Sequence, residues 1–302
     1  MLSTTILFWA GNSIAGRALV GVVPPMALVF WRWVAAFAIV SAVAWRHVRK
    51  DRAELIRRWP TVLALAATGV ASFGALLYVG LQRTTALNTL VVQAAIPPLI
   101  MLFAWLFLRE RTTRWQVGGV AVSLLGVLVV LSRGRPWDLL HLGLNAGDAV
   151  VLFGVVLYAV YSLILRRRPQ VHPMSLLWAT FGAAILLLAP FYAAELIAGR
   201  HMTLNAPTLL GVAYVAIFPS FLAYLFFNRG VELIGAARAS QYLHLQPVFG
   251  AVLAVLLLGE AFHLFHAAGL ALIGAGILLS SWRPKGLERN PLRYNRISLK
   301  AL

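Results

Sequence analysis

Ten long apolar runs, separated by short joints that are polar or contain Pro and Gly, occupy the chain from residue 3 to residue 282. Their limits are 3–20, 25–45, 60–82, 87–108, 114–132, 146–165, 174–196, 207–228, 236–258 and 262–282. Each is close to the roughly 20 residues that a helix needs to cross the hydrocarbon core. The pattern predicts an all-α polytopic membrane protein with ten transmembrane helices. Pro25, Pro60 and Pro207 fall near the first turns, where a missing N–H is not needed. The run at 3–20 lacks a basic leader and continues through Asn12, Ser13 and Arg17, so it reads as the first spanning helix and not as a cleaved signal.

Composition agrees with a bilayer as solvent: 61% of residues are hydrophobic, 12% are charged and the mean hydropathy is +0.84. Cysteine is absent, which excludes disulfides, thiolate metal sites and a cysteine nucleophile. A net charge of +17 would suit nucleic acid, but the basic residues are spread over short joints. Twenty Lys and Arg fall on one side of the predicted helices and five on the other, with Arg32 inside helix 2. This bias predicts an inner (plasma) membrane protein with both termini cytoplasmic, whose partners are the lipid bilayer and a small-molecule substrate and not nucleic acid. The stretch 46–59, ending at Trp59, has the composition of an interfacial amphipathic helix.

The chain also repeats itself. At an offset of 150, Pro97, Ala104, Leu106, Leu108, Glu110, Gly119 and Gly126 match Pro247, Ala254, Leu256, Leu258, Glu260, Gly269 and Gly276. At an offset of 149, Trp9-Ala10, Ser13 and Pro24 face Tyr158-Ala159, Ser162 and Pro173. Residues 1–135 and 146–285 therefore form two five-helix repeats, followed by a basic cytoplasmic tail at 286–302. An odd number of helices per repeat inverts the second relative to the first, a recurrent secondary-transporter architecture.

Several features together resemble the drug/metabolite transporter superfamily, specifically its EamA-type ten-helix members. They are the block Pro97…Leu108-Arg109-Glu110…Gln116…Gly119…Gly126, its echo Pro247…Leu258-Gly259-Glu260…Gly269…Gly276, Trp9-Ala10, Arg32 and Gly147-Asp148. The resemblance covers nearly the whole chain. It implies metabolite movement, usually export, by alternating access without a bound cofactor. The richness in Trp and Tyr resembles the aromatic amino-acid exporter (YddG-like) branch, which implies amino acids with aromatic or hydrophobic side chains as substrates. Drug, lipophilic-cation and nucleotide-sugar carriage are the alternatives within transport, and a membrane enzyme or a scaffold the alternatives outside it.

Enzyme chemistry finds little support in the residues. None of the three lysines lies in a phosphate-binding loop, so no ATPase motif is present. Two histidines spaced around a glutamate are absent, as is a Gly-x-Ser-x-Gly elbow, and no metal site is expected. The nine carboxylates all fall at predicted helix ends or in joints, so no deep carboxylate relay is expected.

Polar and aromatic residues within the apolar runs are the candidate substrate contacts. Trp9, Asn12 and Ser13 share one face of helix 1, and Tyr158, Tyr161 and Ser162 reproduce it in the second half. Such stripes read either as opposite walls of a cavity or as interhelical packing. Tyr78 and Gln82, Tyr224 and Asn228, Asn88 and Gln93, and Gln241 and His244 extend the set, because polar side chains in lipid must face protein or water. His244 reads as a hydrogen-bonded interior histidine or as a proton carrier. Arg32 is either a clamp for a substrate carboxylate or a structural arginine. Pro97 and Pro247, near mid-helix, are hinges or fixed bends, and Pro219 has no proline counterpart in helix 3.

Overall fold

The structure, a computed structural model, describes residues 1–109, 113–135, 145–234 and 242–281. Glu110, Gln241 and the tail from 286 lie outside these residues, as do the side chains of Asn228 and His244. The secondary structure of the described residues is entirely helical. The helices are numbered α1 (Leu2–Ala18), α2 (Pro25–Arg57), α3 (Trp59–Leu81), α4 (Ala86–Leu108), α5 (Arg114–Leu131), α6 (Ala146–Ile164), α7 (Pro173–Ile197), α8 (206–234), α9 (Gln246–Leu258) and α10 (Leu264–Ser281). Seven of these segments are long and apolar enough to span a membrane, and α9 and α10 are shorter apolar helices. The end of the bundle that holds the C-terminus of α1 is called distal below, and the opposite end proximal.

Two pairs of equivalent helices, α2–α7 and α5–α10, pack antiparallel. In the α5–α10 pair, a Cβ at Gly276 would lie 2.4 Å from the Gly119 carbonyl, and one at Gly126 would lie 2.7 Å from that of Gly269. Only glycine permits this backbone approach. The two contacts exchange under the 150-residue offset, and Ser123 Oγ donates to the carbonyl of its own counterpart Ile273 at 3.3 Å. A pseudo-two-fold axis therefore passes between Ser123 and Ile273. The α2–α7 pair is likewise reciprocal. The Glu195 carboxylate accepts the Met26 and Ala27 N–H groups at 3.3 and 2.8 Å, while Asp51 accepts the His172 N–H at 2.9 Å. Each helix thus supplies a carboxylate to the positive N-terminus of the other.

Both halves interrupt the same helices. Ala66–Ser72 in α3 and Ala216–Leu222 in α8 are seven-residue π-helical segments 150 residues apart. Pro219 sits opposite Gly69 in this register, so its counterpart is a shared backbone distortion and not a second proline. α4 breaks at Ala94–Ala95 between Ala86–Gln93 and Ile96–Leu108. α9 follows a 3-10 turn at Tyr242–Leu245. The prolines therefore sit in the first turn of the second half-helices, not at a mid-helix kink. α2 departs from expectation as well: its 33 residues run unbroken to Arg57, about 50 Å, so 46–57 prolongs a spanning helix and does not form a separate interfacial one.

Candidate functional site

A cavity of about 410 Å³ lies between the two halves. α1 contributes Trp9 and Asn12, α2 Arg32 and Trp33, α3 Gly69, Phe73 and Gly74, and α4 Leu90, Gln93, Ala94, Ile96 and Pro97. The second half closes it with Tyr158, Tyr224, Gln246, Pro247 and an apolar strip of α10 around Ile273, Gly274 and Ile277. The π segment of α3 reaches this wall at Gly69, and that of α8 ends two residues before Tyr224, a common placement of π-bulges at functional sites.

Arg32 is the cavity's fixed charge. It is 7% exposed, and its side chain is held at two of three nitrogens. Nε donates to Ser220 Oγ at 2.6 Å, and Nη1 donates to Asn12 Oδ1 and Tyr78 Oη, both at 2.9 Å. Tyr78 in turn donates to Asn12 Oδ1 at 2.8 Å, and Ser220 to the Val215 carbonyl at 2.7 Å across the π turn. Among the described residues no carboxylate lies within ion-pairing distance of Arg32, and Nη2 has no protein acceptor. The guanidinium lies 4.6 Å from the Trp33 ring centre, and the buried Trp33 Nε1–H also lacks an acceptor. An uncompensated cation within an apolar span costs about 2.5–3.5 kcal/mol on insertion scales, so three neutral partners position this charge without neutralising it.

Aromatic and amide groups complete the wall. Trp9 Nε1 donates to the Pro219 carbonyl at 3.1 Å, and its ring meets Tyr224 and Phe227 at 5.9 and 5.4 Å. Tyr158 contacts Phe73 and Tyr161 at 4.8 and 5.2 Å. Gln93 donates to Ser13 Oγ at 3.1 Å and receives Gln246 Nε2 at 3.4 Å, which links the broken helix of one half to the start of α9 in the other.

The distal end is sealed by polar contacts. The Glu260 carboxylate accepts the Ala86 and Leu87 N–H groups at 2.8 and 2.9 Å, capping α4. Arg17, 4.0 Å from Glu260, donates to the Leu81 carbonyl at 2.8 Å. Beside them Asp148, only 1% exposed, accepts from Thr84 and from Asn88 Nδ2 at 3.2 Å. His266 Nε2 meets Asn88 Oδ1 at 2.9 Å, while its Nδ1 accepts the His263 N–H at 3.0 Å, so Nε2 carries the donor hydrogen. Asp148 is a helix-end carboxylate, as the sequence implies, but it is buried and linked to a histidine, which the sequence reading had not anticipated.

Of the predicted contacts, the structure gathers Trp9, Asn12, Arg32, Gln93, Tyr158, Tyr224, Pro97 and Pro247 at the cavity. Ser13 and Tyr78 lie one layer behind, holding Gln93 and Arg32. Tyr161 packs on Gly69, and the Ser162 hydroxyl donates to the Tyr158 carbonyl within its own helix. Gln82 caps the distal end of α3, and Asn88 belongs to the distal seal. Trp33, Ser220 and the α10 strip were missed. Trp33 could have been found as the neighbour of Arg32, whereas Ile273 and Ile277 read like any lipid-facing residues.

A polytopic helical bundle with inverted halves around a partly polar cavity is the architecture of a membrane transporter. The chain belongs to the EamA-like transporter family, whose model matches residues 1–132 and 145–282. The uncharacterized transporter YyaM of Bacillus subtilis is 26% identical over 98% of this chain and 95% of its own length. A "probable terminal-alkyne amino-acid exporter" of Streptantibioticus cattleyicolor is 28% identical over 85% of this chain and 83% of its own. A solved crystal structure with 21% identity superposes at a TM-score of 0.65, covering 95% of this chain and 98% of the other, and supports the fold alone.

Proposed function

We propose that the protein exports small carboxylate-bearing metabolites with an apolar body, foremost amino acids with aromatic or hydrophobic side chains, by alternating access through the central cavity. The observation that carries this reading is Arg32: a buried guanidinium in an aromatic wall, fixed by Asn12, Tyr78 and Ser220 and left without an anion. A substrate carboxylate supplies the missing counter-charge by a charge-assisted bond. The side chain then lies among Trp9, Tyr158, Tyr224 and the α10 strip, where ring contacts and apolar burial favour it. The same charge disfavours lipophilic cations, because a like charge in a low-dielectric cavity is repelled. The amino-acid exporter among the relatives supports the substrate class.

In this reading the distal end is the outer side, by the Lys and Arg bias, and the structure is the conformer closed to that side. Opening requires the Glu260, Arg17 and Asp148 contacts to part, while Gln93 and Gln246 separate or slide. The break in α4 at Ala94–Ala95 and the 3-10 turn before α9 lie beside the Gln93–Gln246 contact, which gives each half a joint at which to move.

Counterflow tests the proposal: proteoliposomes loaded with unlabelled phenylalanine are given a trace of labelled phenylalanine outside. Protein-dependent accumulation that disappears in Arg32→Ala is expected. Accumulation no greater than in protein-free vesicles would contradict it.

A further inference from the structure

The tandem Pro97-Pro98 has a chemical consequence at the cavity. A backbone carbonyl in a helix is satisfied by the N–H three or four residues later. For Ala94 those positions are Pro97 and Pro98, neither of which has an N–H. The neighbouring amides are committed elsewhere: Ala94 and Ala95 N–H donate to Leu90, Val91 and Val92, and Leu99 N–H donates to the Ala95 carbonyl. No donor among the described residues is bonded to the Ala94 carbonyl, although Ala94 lines the cavity. Ala94 also caps the C-terminus of Ala86–Gln93, the negative end of that half-helix's dipole.

Two unsatisfied poles therefore share one cavity. The first is a donor pole, Arg32 Nη2 with the acceptor-free Trp33 Nε1–H. The second is an acceptor pole, the Ala94 carbonyl. We propose that the Ala94 carbonyl freed by Pro97-Pro98 binds the α-ammonium group of the substrate, so that the cavity recognises zwitterionic α-amino acids and rejects simple carboxylic acids of the same shape. An ammonium group has three donors and no acceptor, which matches a carbonyl oxygen left without a donor. The inference rests on the proposed transport of carboxylate-bearing substrates and goes beyond it by requiring the second charge. It also gives the proline pair a chemical role beside any mechanical one.

The test is equilibrium binding to the purified full-length protein in nanodiscs with three probes: phenylalanine, 3-phenylpropionate, which lacks the ammonium, and phenethylamine, which lacks the carboxylate. Phenylalanine is expected to bind at least about tenfold more tightly than either analogue, the range of one charge-assisted hydrogen bond. Pro98→Ala returns an N–H within reach of the Ala94 carbonyl. It is expected to weaken phenylalanine about tenfold while leaving 3-phenylpropionate unchanged. Equal binding of phenylalanine and 3-phenylpropionate by the unmodified protein would overturn the ammonium site and leave the carboxylate reading standing. Failure of all three probes to bind would overturn that underlying reading as well. The comparison within the unmodified protein remains decisive if the Pro98→Ala variant does not fold.

Discussion

At the scale of single residues, Arg32 joins four helices through neutral groups: Asn12 on α1, Tyr78 on α3 and Ser220 on α8 all converge on it from α2. Arg32→Lys keeps the charge but loses the planar fork, so the three partners cannot all be met at once. Phenylalanine binding is expected to fall about tenfold or more in Arg32→Lys and further in Arg32→Gln, with both variants eluting as the native species in size-exclusion chromatography. A different residue tests packing. Gly276→Ala drives a Cβ into the Gly119 carbonyl, whereas Gly274→Ala meets nothing within 4 Å. Unfolding in mixed micelles should show a loss of about 1–3 kcal/mol for the first and almost none for the second.

Much of this site is legible from sequence, because a polar or charged residue stands out in an apolar run. Arg32, Asn12 and Tyr78 are found that way. Ser220 is not, since one serine in a spanning helix equally signals close packing. The α10 strip carries no signal, because isoleucine facing a cavity and isoleucine facing lipid have the same hydropathy.

At the scale of elements, symmetry is clearest where the chain departs from regular helix. Ile96–Leu108 and Gln246–Leu258 have equal lengths and both end in a left-handed residue, Arg109 at φ 52° and Gly259 at φ 64°. Glycine adopts that conformation freely, while a side chain there costs about 1 kcal/mol. Arg109→Gly should therefore stabilise the fold by about that amount and Gly259→Arg should destabilise it similarly, as read by thermal unfolding in detergent. Capping makes a second element-level prediction. Glu260→Ala strips two N–H groups at the head of α4 of their acceptor, a loss of about 1–2 kcal/mol from the distal seal. A single cysteine placed at the buried Leu87 should then react faster with a membrane-impermeant maleimide than it does with Glu260 intact.

The sequence locates the prolines and the repeat but not the breaks themselves. Proline marks where a second half-helix starts, and the interruption falls two residues earlier, at Ala94–Ala95. The π segments have no compositional signature, which is why Gly69 and Pro219 do not look like counterparts until their backbones are compared.

At the scale of the whole molecule, the α2–α7 and α5–α10 pairs form two antiparallel seams between the halves, and a pseudo-two-fold axis passes through the second. Such a bundle has two ends built from the same parts in exchanged roles, and the proposed alternating access pairs a conformer closed at the distal end with one closed at the proximal end. The ordering of apolar runs and the odd repeat reveal this plan, because hydropathy and parity survive divergence. Which end is shut does not follow from them, since it depends on three-dimensional contacts such as Glu260 with α4 and Asp148 with Asn88.

A chain free of cysteine allows the central claim, one cavity gated between two ends, to be examined directly. Single cysteines at Trp9, Tyr158 and Ile273 report on the cavity, and cysteines at Leu87 and Thr84 report on the distal seal. In proteoliposomes of defined orientation, cavity cysteines should be labelled by impermeant reagent and protected by phenylalanine. Seal cysteines should be labelled only from the distal side, and only when labelling of the cavity from the proximal side declines. Cavity positions that stay unreactive from both sides, or seal and cavity positions that are open to both sides at once, would contradict the gated-cavity mechanism.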